Sequence, residues 1–213
     1  MNGLVVENAS LSVAGRTLFA PLSFTVPPGA ALTVMGPSGA GKSALLAFIG
    51  GHLERAFSAS GNVWLDARNL LEIAPEKRAV GLLFQDDLLF PHLSVGANIA
   101  FGLRTAERDR RIAVEAALRD AGLEGFAPRD PATLSGGQRA RVSLLRTLAA
   151  QPRALLLDEP FGKLDVALRR DFRRFVFDLA ARRALPVVLV THDPADAEAA
   201  GGEIVYLEPG DPP

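Results

Sequence analysis

Apolar residues recur along this chain in two rhythms. Over the first 35 positions they come in short runs separated by turn residues: LVVEN (4–8), LSV (11–13) before Ala14-Gly15, LSFTV (22–26) halted by Pro27-Pro28-Gly29, and ALTVM (31–35). Runs of this kind bounded by Gly and Pro predict strands. ALLAFIGG (44–51) is helical in texture, whereas GNVWLD (61–66) and AVGLLFQ (79–85) return to strands. Between Asp86 and about Ala132 the texture is helical again, notably over 106–121, where Ile112, Ala116 and Leu118 alternate with Arg and Glu. Beyond it lie a predicted helix from 135 to about 150, the apolar strand ALLLDE (154–159), a long helix over 166–183, the apolar strand PVVLVTH (186–192), a short helix near 194–200, and EIVYL (203–207). The tail EPGDPP is expected to be loose.

Alternating strands and helices with wholly apolar strands predict an α/β fold: a mostly parallel sheet core covered on both faces. To this are added an antiparallel β-subdomain at the start and an inserted helical subdomain. The expectation is a single domain over 1–213, with a core at about 1–85 and 151–213 and the helical subdomain at about 86–150. At 213 residues and 48% hydrophobic composition the chain can bury a sizeable core. Its net charge of -1, with both signs interspersed, gives no basic footprint for nucleic acid. With no cysteine, disulfides, thiolate metal sites and a Cys nucleophile are excluded. MNGLVVENASLSV lacks the basic-then-apolar pattern of a signal peptide, and no apolar run reaches the roughly 18 residues of a membrane span. A cytoplasmic protein is therefore expected, with any membrane role reached through a partner.

Chemistry concentrates in three places. Gly36-Pro37-Ser38-Gly39-Ala40-Gly41-Lys42-Ser43 fits G-x-x-x-x-G-K-[ST] between a predicted strand and a predicted helix. Such a loop wraps phosphate oxygens in backbone N–H groups, with Lys42 reaching the β- and γ-phosphates and the Ser43 hydroxyl ligating Mg²⁺. The strand ALLLDE delivers Asp158 and Glu159 to its carboxyl end, where ligands bind in parallel sheets. Asp158 can hold Mg²⁺, and Glu159, pointing to the other side, can poise a water for attack on the γ-phosphate. Ser135-Gly136-Gly137-Gln138 reads as a helix start with a capping box, its glycines leaving N–H groups open to an anion.

LSGGQ (134–138), with that phosphate loop before it and ALLLDEP after it, resembles the signature of the ATP-binding subunits of ABC transporters, and the likeness runs over essentially the whole chain. It implies the P-loop NTPase ABC ATPase fold, with ATP and Mg²⁺ as cofactors. It also implies a homodimer in which the signature of one copy closes on ATP held by the phosphate loop of a second copy. By the same resemblance Gln85 contacts Mg²⁺ and the attacking water, His192 contacts the γ-phosphate and steadies the catalytic Glu159, and Asp165 lies at the dimer interface. The stretch 84–103 is similar to bacterial importer subunits of the thiamine, polyamine and iron types. This implies a permease docked at Phe90, Pro91, His92 and Leu93, a solute-binding protein reached through it, and a location on the cytoplasmic face of the inner membrane. The alternative within the family is a soluble ATPase acting on nucleic acid or the translation machinery.

The chain departs from the pattern at four points. Val13 and Ala14 stand where an aromatic residue usually stacks on adenine, which makes Phe19 another candidate for that task. Ala44 replaces a second hydroxyl, Gly162-Lys163 replaces a Ser-Ala pair, and Ala97 replaces a Glu. Six arginines between 169 and 183 are expected on a solvated helix face, and Trp64 is expected in the core.

Overall fold

The computed structural model describes residues 3–103 and 107–208. Two sheets enclose one helix. The first is antiparallel: β1 (Leu4–Val13) pairs with β2 (Arg16–Thr17), β3 (Leu22–Val26) and β5 (Phe57–Leu65), and β5 pairs with β6 (Arg68–Asn69). The second is parallel throughout. It combines β4 (Ala31–Met35), β7 (Val80–Leu83), β8 (Ala154–Asp158), β9 (Val187–Val190) and β10 (Glu203–Tyr206) in the order β10-β4-β9-β8-β7. The helices are α1 (Lys42–Gly50), α2 (Val95–Ala100), α3 (Glu107–Asp120), α4 (Gly136–Ala149), α5 (Val166–Arg182) and α6 (Pro194–Ala200). Among the described residues no helix is long and apolar enough to cross a membrane.

Successive residues of a strand face opposite sides, so a strand buried on both faces must be apolar at every position. In β8, Leu156 turns towards α1 and the antiparallel sheet, joining Leu45, Leu46 and Ile49, whereas Leu155 and Leu157 join Phe172, Val176 and Leu179 of α5. A third cluster, with Val95, Ile99, Val114, Leu118, Val142 and Leu145, holds α2, α3 and α4 together. Helix α4 serves two cores at once, since its Leu144 and Leu148 pack with α5.

Three local expectations are corrected. LVVEN and LSV form one strand interrupted by a bulge: the register of β1 against β5 shifts between Glu7 and Ser10, and Asn8 takes a left-handed φ of 49°. Gly61 permits the bulge, since a Cβ there would lie 2.6 Å from the Asn8 carbonyl oxygen. Ile112 is exposed, because the apolar stripe of α3 runs through Val114 and Leu118 instead. Trp64 sits half-buried outside the core clusters, donating its indole N–H to Glu7 Oε2 at 3.0 Å. The tail expected to be loose lies outside the described residues beyond Glu208.

Leu156 is fully buried in the middle of the sheet, whereas Ile112 is 67% exposed. Leu156→Ala should cost about 3 kcal/mol in urea unfolding, and Ile112→Ala less than about 0.5 kcal/mol.

Candidate active site

All strands of the second sheet run the same way, so their carboxyl ends share one edge, the usual location for a ligand. The phosphate loop leaves β4 there. Gly41, at a φ of 92°, caps α1, and a Cβ on it would press within about 3.1 Å of the Phe19 ring. Lys42 is 7% exposed, and its ammonium donates to the carbonyls of Gly36 and Pro37, each at 2.9 Å. The side chain is thus folded across the cradle its own loop makes. Ala40 is buried and donates its N–H to the Pro37 carbonyl, closing the turn. Ser38, Gly39, Gly41, Lys42, Ser43 and Ala44 line a cleft of about 430 Å³.

Ser43 donates its hydroxyl to Asp158 Oδ1 at 3.0 Å, joining the loop to the end of β8. Burial pushes the Asp158 carboxyl above its ordinary value; the Ser43 hydrogen bond opposes the rise, Glu159 adds to it, and Lys42 and His52 counter it. A partly buried carboxylate beside a hydroxyl is an all-oxygen donor pair of the kind that suits Mg²⁺, and a cation there would relieve the cost of its charge.

Strand alternation alone would send Glu159 to the opposite face. Instead β8 ends at Asp158, and Glu159 takes a left-handed φ of 45°, so that it lines the same cleft as Lys42 and Ser43. A non-glycine residue held in that region costs about 1–3 kcal/mol. The surroundings impose it: the Glu159 N–H bonds the Val190 carbonyl at 2.9 Å, and Oε1 lies 3.0 Å from His192 Nδ1. Because a carboxylate only accepts, this pairing places the proton on Nδ1.

Sequence reasoning missed the residues that hold this pair. Arg169 donates to Asp193 Oδ2 at 2.9 Å and to the carbonyls of Gly162 and Leu164, tying the loop after Glu159 to the turn after His192. Arg173 donates to Asp193 at 3.0 Å and to Asp196, whose other oxygen accepts from the Thr191 hydroxyl at 2.7 Å. Burial opposes the charge on Asp193, but the Ala195 N–H, Arg173 and Arg169 outweigh it and hold that carboxyl below its ordinary value. The i, i+4 spacing of Arg169 and Arg173, matched to two acids at the start of a short helix, was the available signal. Two of the six arginines are therefore interior staples rather than a solvated face.

The remaining candidates lie elsewhere. Ser135 and Gln138 make the expected capping box, with Gln138 N–H donating to the Ser135 hydroxyl at 3.3 Å and Ser135 N–H to Gln138 Oε1 at 2.9 Å. Gly137 is buried against Leu168, and Asp165 caps α5 by accepting from Leu168 N–H at 3.0 Å. Gln85 and Gly136 line a second cavity of about 250 Å³, together with Asp86, Arg139 and Lys163. That cavity shares no lining residue with the phosphate-loop cleft. Asp86 pairs with Lys163, and Arg139 with Asp87 at 2.8 Å. Phe19 is 0% exposed and packs in the core, so it cannot serve a base.

The segment 90–93 is shaped by a buried Asn98, which accepts from Phe90 N–H at 2.8 Å and donates to the carbonyls of Phe90, Leu93 and Ser94. His92 and Pro91 are exposed. Phe101, 69% exposed, packs its ring 4.8 Å from that of Phe90, and Leu88 is 56% exposed; both extend the apolar patch beyond the four residues expected.

Residues 19–162 match the protein family described as ABC transporter. The chain is 50% identical over 198 residues to the uncharacterized ABC transporter ATP-binding protein YnjD of Escherichia coli K12, covering 92% of this chain and 91% of that protein. It is 40% identical over 210 residues to a sulfate/thiosulfate import ATP-binding protein of Gloeobacter violaceus. It is also 40% identical over 212 residues to an Fe(3+) ions import ATP-binding protein of Rhodococcus jostii. These two alignments take in 97% of this chain, which spans 60% of each of those longer proteins.

Two outcomes are expected. An acid whose folded pKa is raised destabilises the fold when ionised, so stability falls as pH rises through that value. Asp158→Asn should therefore raise the thermal midpoint of metal-free, nucleotide-free protein at pH 8, a gain that vanishes below about pH 3, where the acid is protonated in both states. Arg173→Ala strands the Asp196 carboxylate, whose side chain is 4% exposed, and should cost about 3 kcal/mol in chemical unfolding. Arg170→Ala, at a side chain 77% exposed, should stay within about 0.5 kcal/mol.

Proposed function

This chain belongs to the ABC transporter ATP-binding family, whose members hydrolyse ATP, and from that premise we propose that it is the energy-coupling subunit of a small-solute importer, working as a dimer that sandwiches two nucleotides. The observation that carries the reading is the separation of the two anion-binding backbone ends. The phosphate loop opens into one cleft and the start of α4 into another, with no lining residue in common. In a pair of copies, a triphosphate seated on the phosphate loop of one would meet the start of α4 of the other.

Within one copy, Lys42 exchanges the Gly36 and Pro37 carbonyls for phosphate oxygens, and the N–H groups of Gly39, Gly41, Lys42 and Ser43 turn to the same anion. Ser43 and Asp158 would hold the metal, with Gln85 joining them on dimer closure, and Mg²⁺ held there would supply positive charge to offset that of the phosphates. Glu159 takes the proton of the attacking water, and the His192 Nδ1–H keeps its carboxylate aimed. From the second copy, Ser135, Gly136 and Gly137 complete the shell around the γ-phosphate, with Gln138 fixing the cap and Asp165 lying close to the opposite phosphate loop.

We take 86–150 as the helical subdomain, swung through Gln85 as the pair closes and reopens. Its apolar patch at Leu88, Phe90 and Phe101, beside Pro91, His92 and Leu93, is the docking groove for the permease. A solute-binding protein would meet the chain only through that permease, and the subunit would work peripherally on the cytoplasmic face of the inner membrane.

Glu159→Gln should bind ATP, hydrolyse it about 10² to 10⁴ times more slowly, and elute as a dimer when ATP is present. Normal turnover by this variant would remove Glu159 from the role. Phosphate release by the wild-type chain should rise when it is reconstituted with a co-purified permease in liposomes; indifference to every membrane partner would count against the importer assignment.

A further inference from the structure

The cleft over the phosphate loop is lined by two kinds of side chain: Lys42, Ser43 and Glu159 are polar, whereas Val13, Leu18 and Phe57 are apolar. A nucleoside triphosphate needs both kinds, with anionic phosphates at one end and a flat aromatic base at the other. We propose that the ring of Phe57 stacks on the base of the bound nucleotide; the assignment rests on the nucleotide-site reading above.

Phe57 opens β5 directly across the ladder from Val13, the last residue of β1. Directly opposed residues of an antiparallel pair share a face, with Cβ atoms about 4.5–5.5 Å apart. A ring at 57 therefore covers the same part of the cleft as a ring at 13 would, one strand spacing away. Hydrophobic packing leaves this phenylalanine unexplained. Its two neighbours in sequence, Ala56 and Ser58, are exposed, and Phe57 itself is half-buried without joining any of the three core clusters. Phe19 is fully withdrawn into the core beneath Gly41, which leaves Phe57 as the aromatic side chain lining the cleft. A phenyl ring has no donor or acceptor, so it holds the base by its face, and Val13 and Leu18 close the edges against water.

The test uses calorimetric titration of the full chain with Mg·ATP and, separately, with Mg·tripolyphosphate, which carries the phosphates without a base. Stacking on an aromatic side chain is worth about 1–3 kcal/mol per base, or roughly 5- to 150-fold in affinity. Phe57→Ala should weaken ATP by an amount in that range and leave tripolyphosphate within about twofold. Phe57→Leu, which keeps an apolar strand residue, should show the same pattern, Phe57→Trp should retain ATP affinity, and adding Val13→Trp to Phe57→Leu should restore it. Lys42→Ala, by contrast, should weaken both ligands. Wild-type affinity for ATP in Phe57→Leu, or a proportional loss of tripolyphosphate, would overturn the role of Phe57 and leave the site reading standing. A wild-type chain that binds neither ligand would overturn the site reading itself.

Discussion

The parallel pairing of β4, β9, β8 and β7 sets where every reactive group lies. Val34 and Asp158 both pair with Val190, and Leu83 pairs with Leu157. The strands therefore stop nearly level, and the segments leaving them spill onto one edge: the phosphate loop after β4, Gln85 after β7, Glu159 after β8 and His192 after β9. Shifting one strand by a residue would reverse its faces and carry its chemical residue away. Apolar clusters on both sides of the sheet, anchored by α1 on one face and α5 on the other, prevent that shift.

Electrostatics then works against the fold at that edge. Two acids of adjacent residues face a buried lysine, one of them pushed towards its neutral form, while the other occupies a backbone conformation that a non-glycine residue avoids. Neither condition stabilises the chain in isolation. Both make sense as readiness for a ligand that brings phosphate charge for Lys42 and a cation for Asp158. The compensation lies one layer away, where Arg169 and Arg173 bind Asp193 and Asp196 and lock the loop bearing Glu159 to the turn bearing His192.

Several features face outward from the fold. The start of α4 satisfies its own cap, yet Gly136 opens into a cavity that the phosphate loop does not line. Val166 at the start of α5 is 88% exposed, and Phe101 and Leu88 stand open beside the Asn98-braced segment. The second copy and the membrane partner proposed above would use different surfaces, and α4 packs into two of the cores that lie beneath them.

The sequence alone determined the sheet's character, the helices flanking it, the phosphate loop and the capping box. These depend on periodicity, on glycines at fixed offsets and on hydrogen bonds three residues apart, all local in the chain. It could not determine that LVVEN and LSV are one bulged strand, since a bulge is defined by the strand opposite. Nor could it show that Glu159 turns into the cleft, which depends on a hydrogen bond to Val190 and an imidazole 33 residues on. Phe19 and Phe57 look alike in sequence, as do Arg170 and Arg173. Which member of each pair is buried, stapled or left facing the cleft was decided by tertiary packing alone, because burial and charge pairing belong to groups brought together from distant parts of the chain.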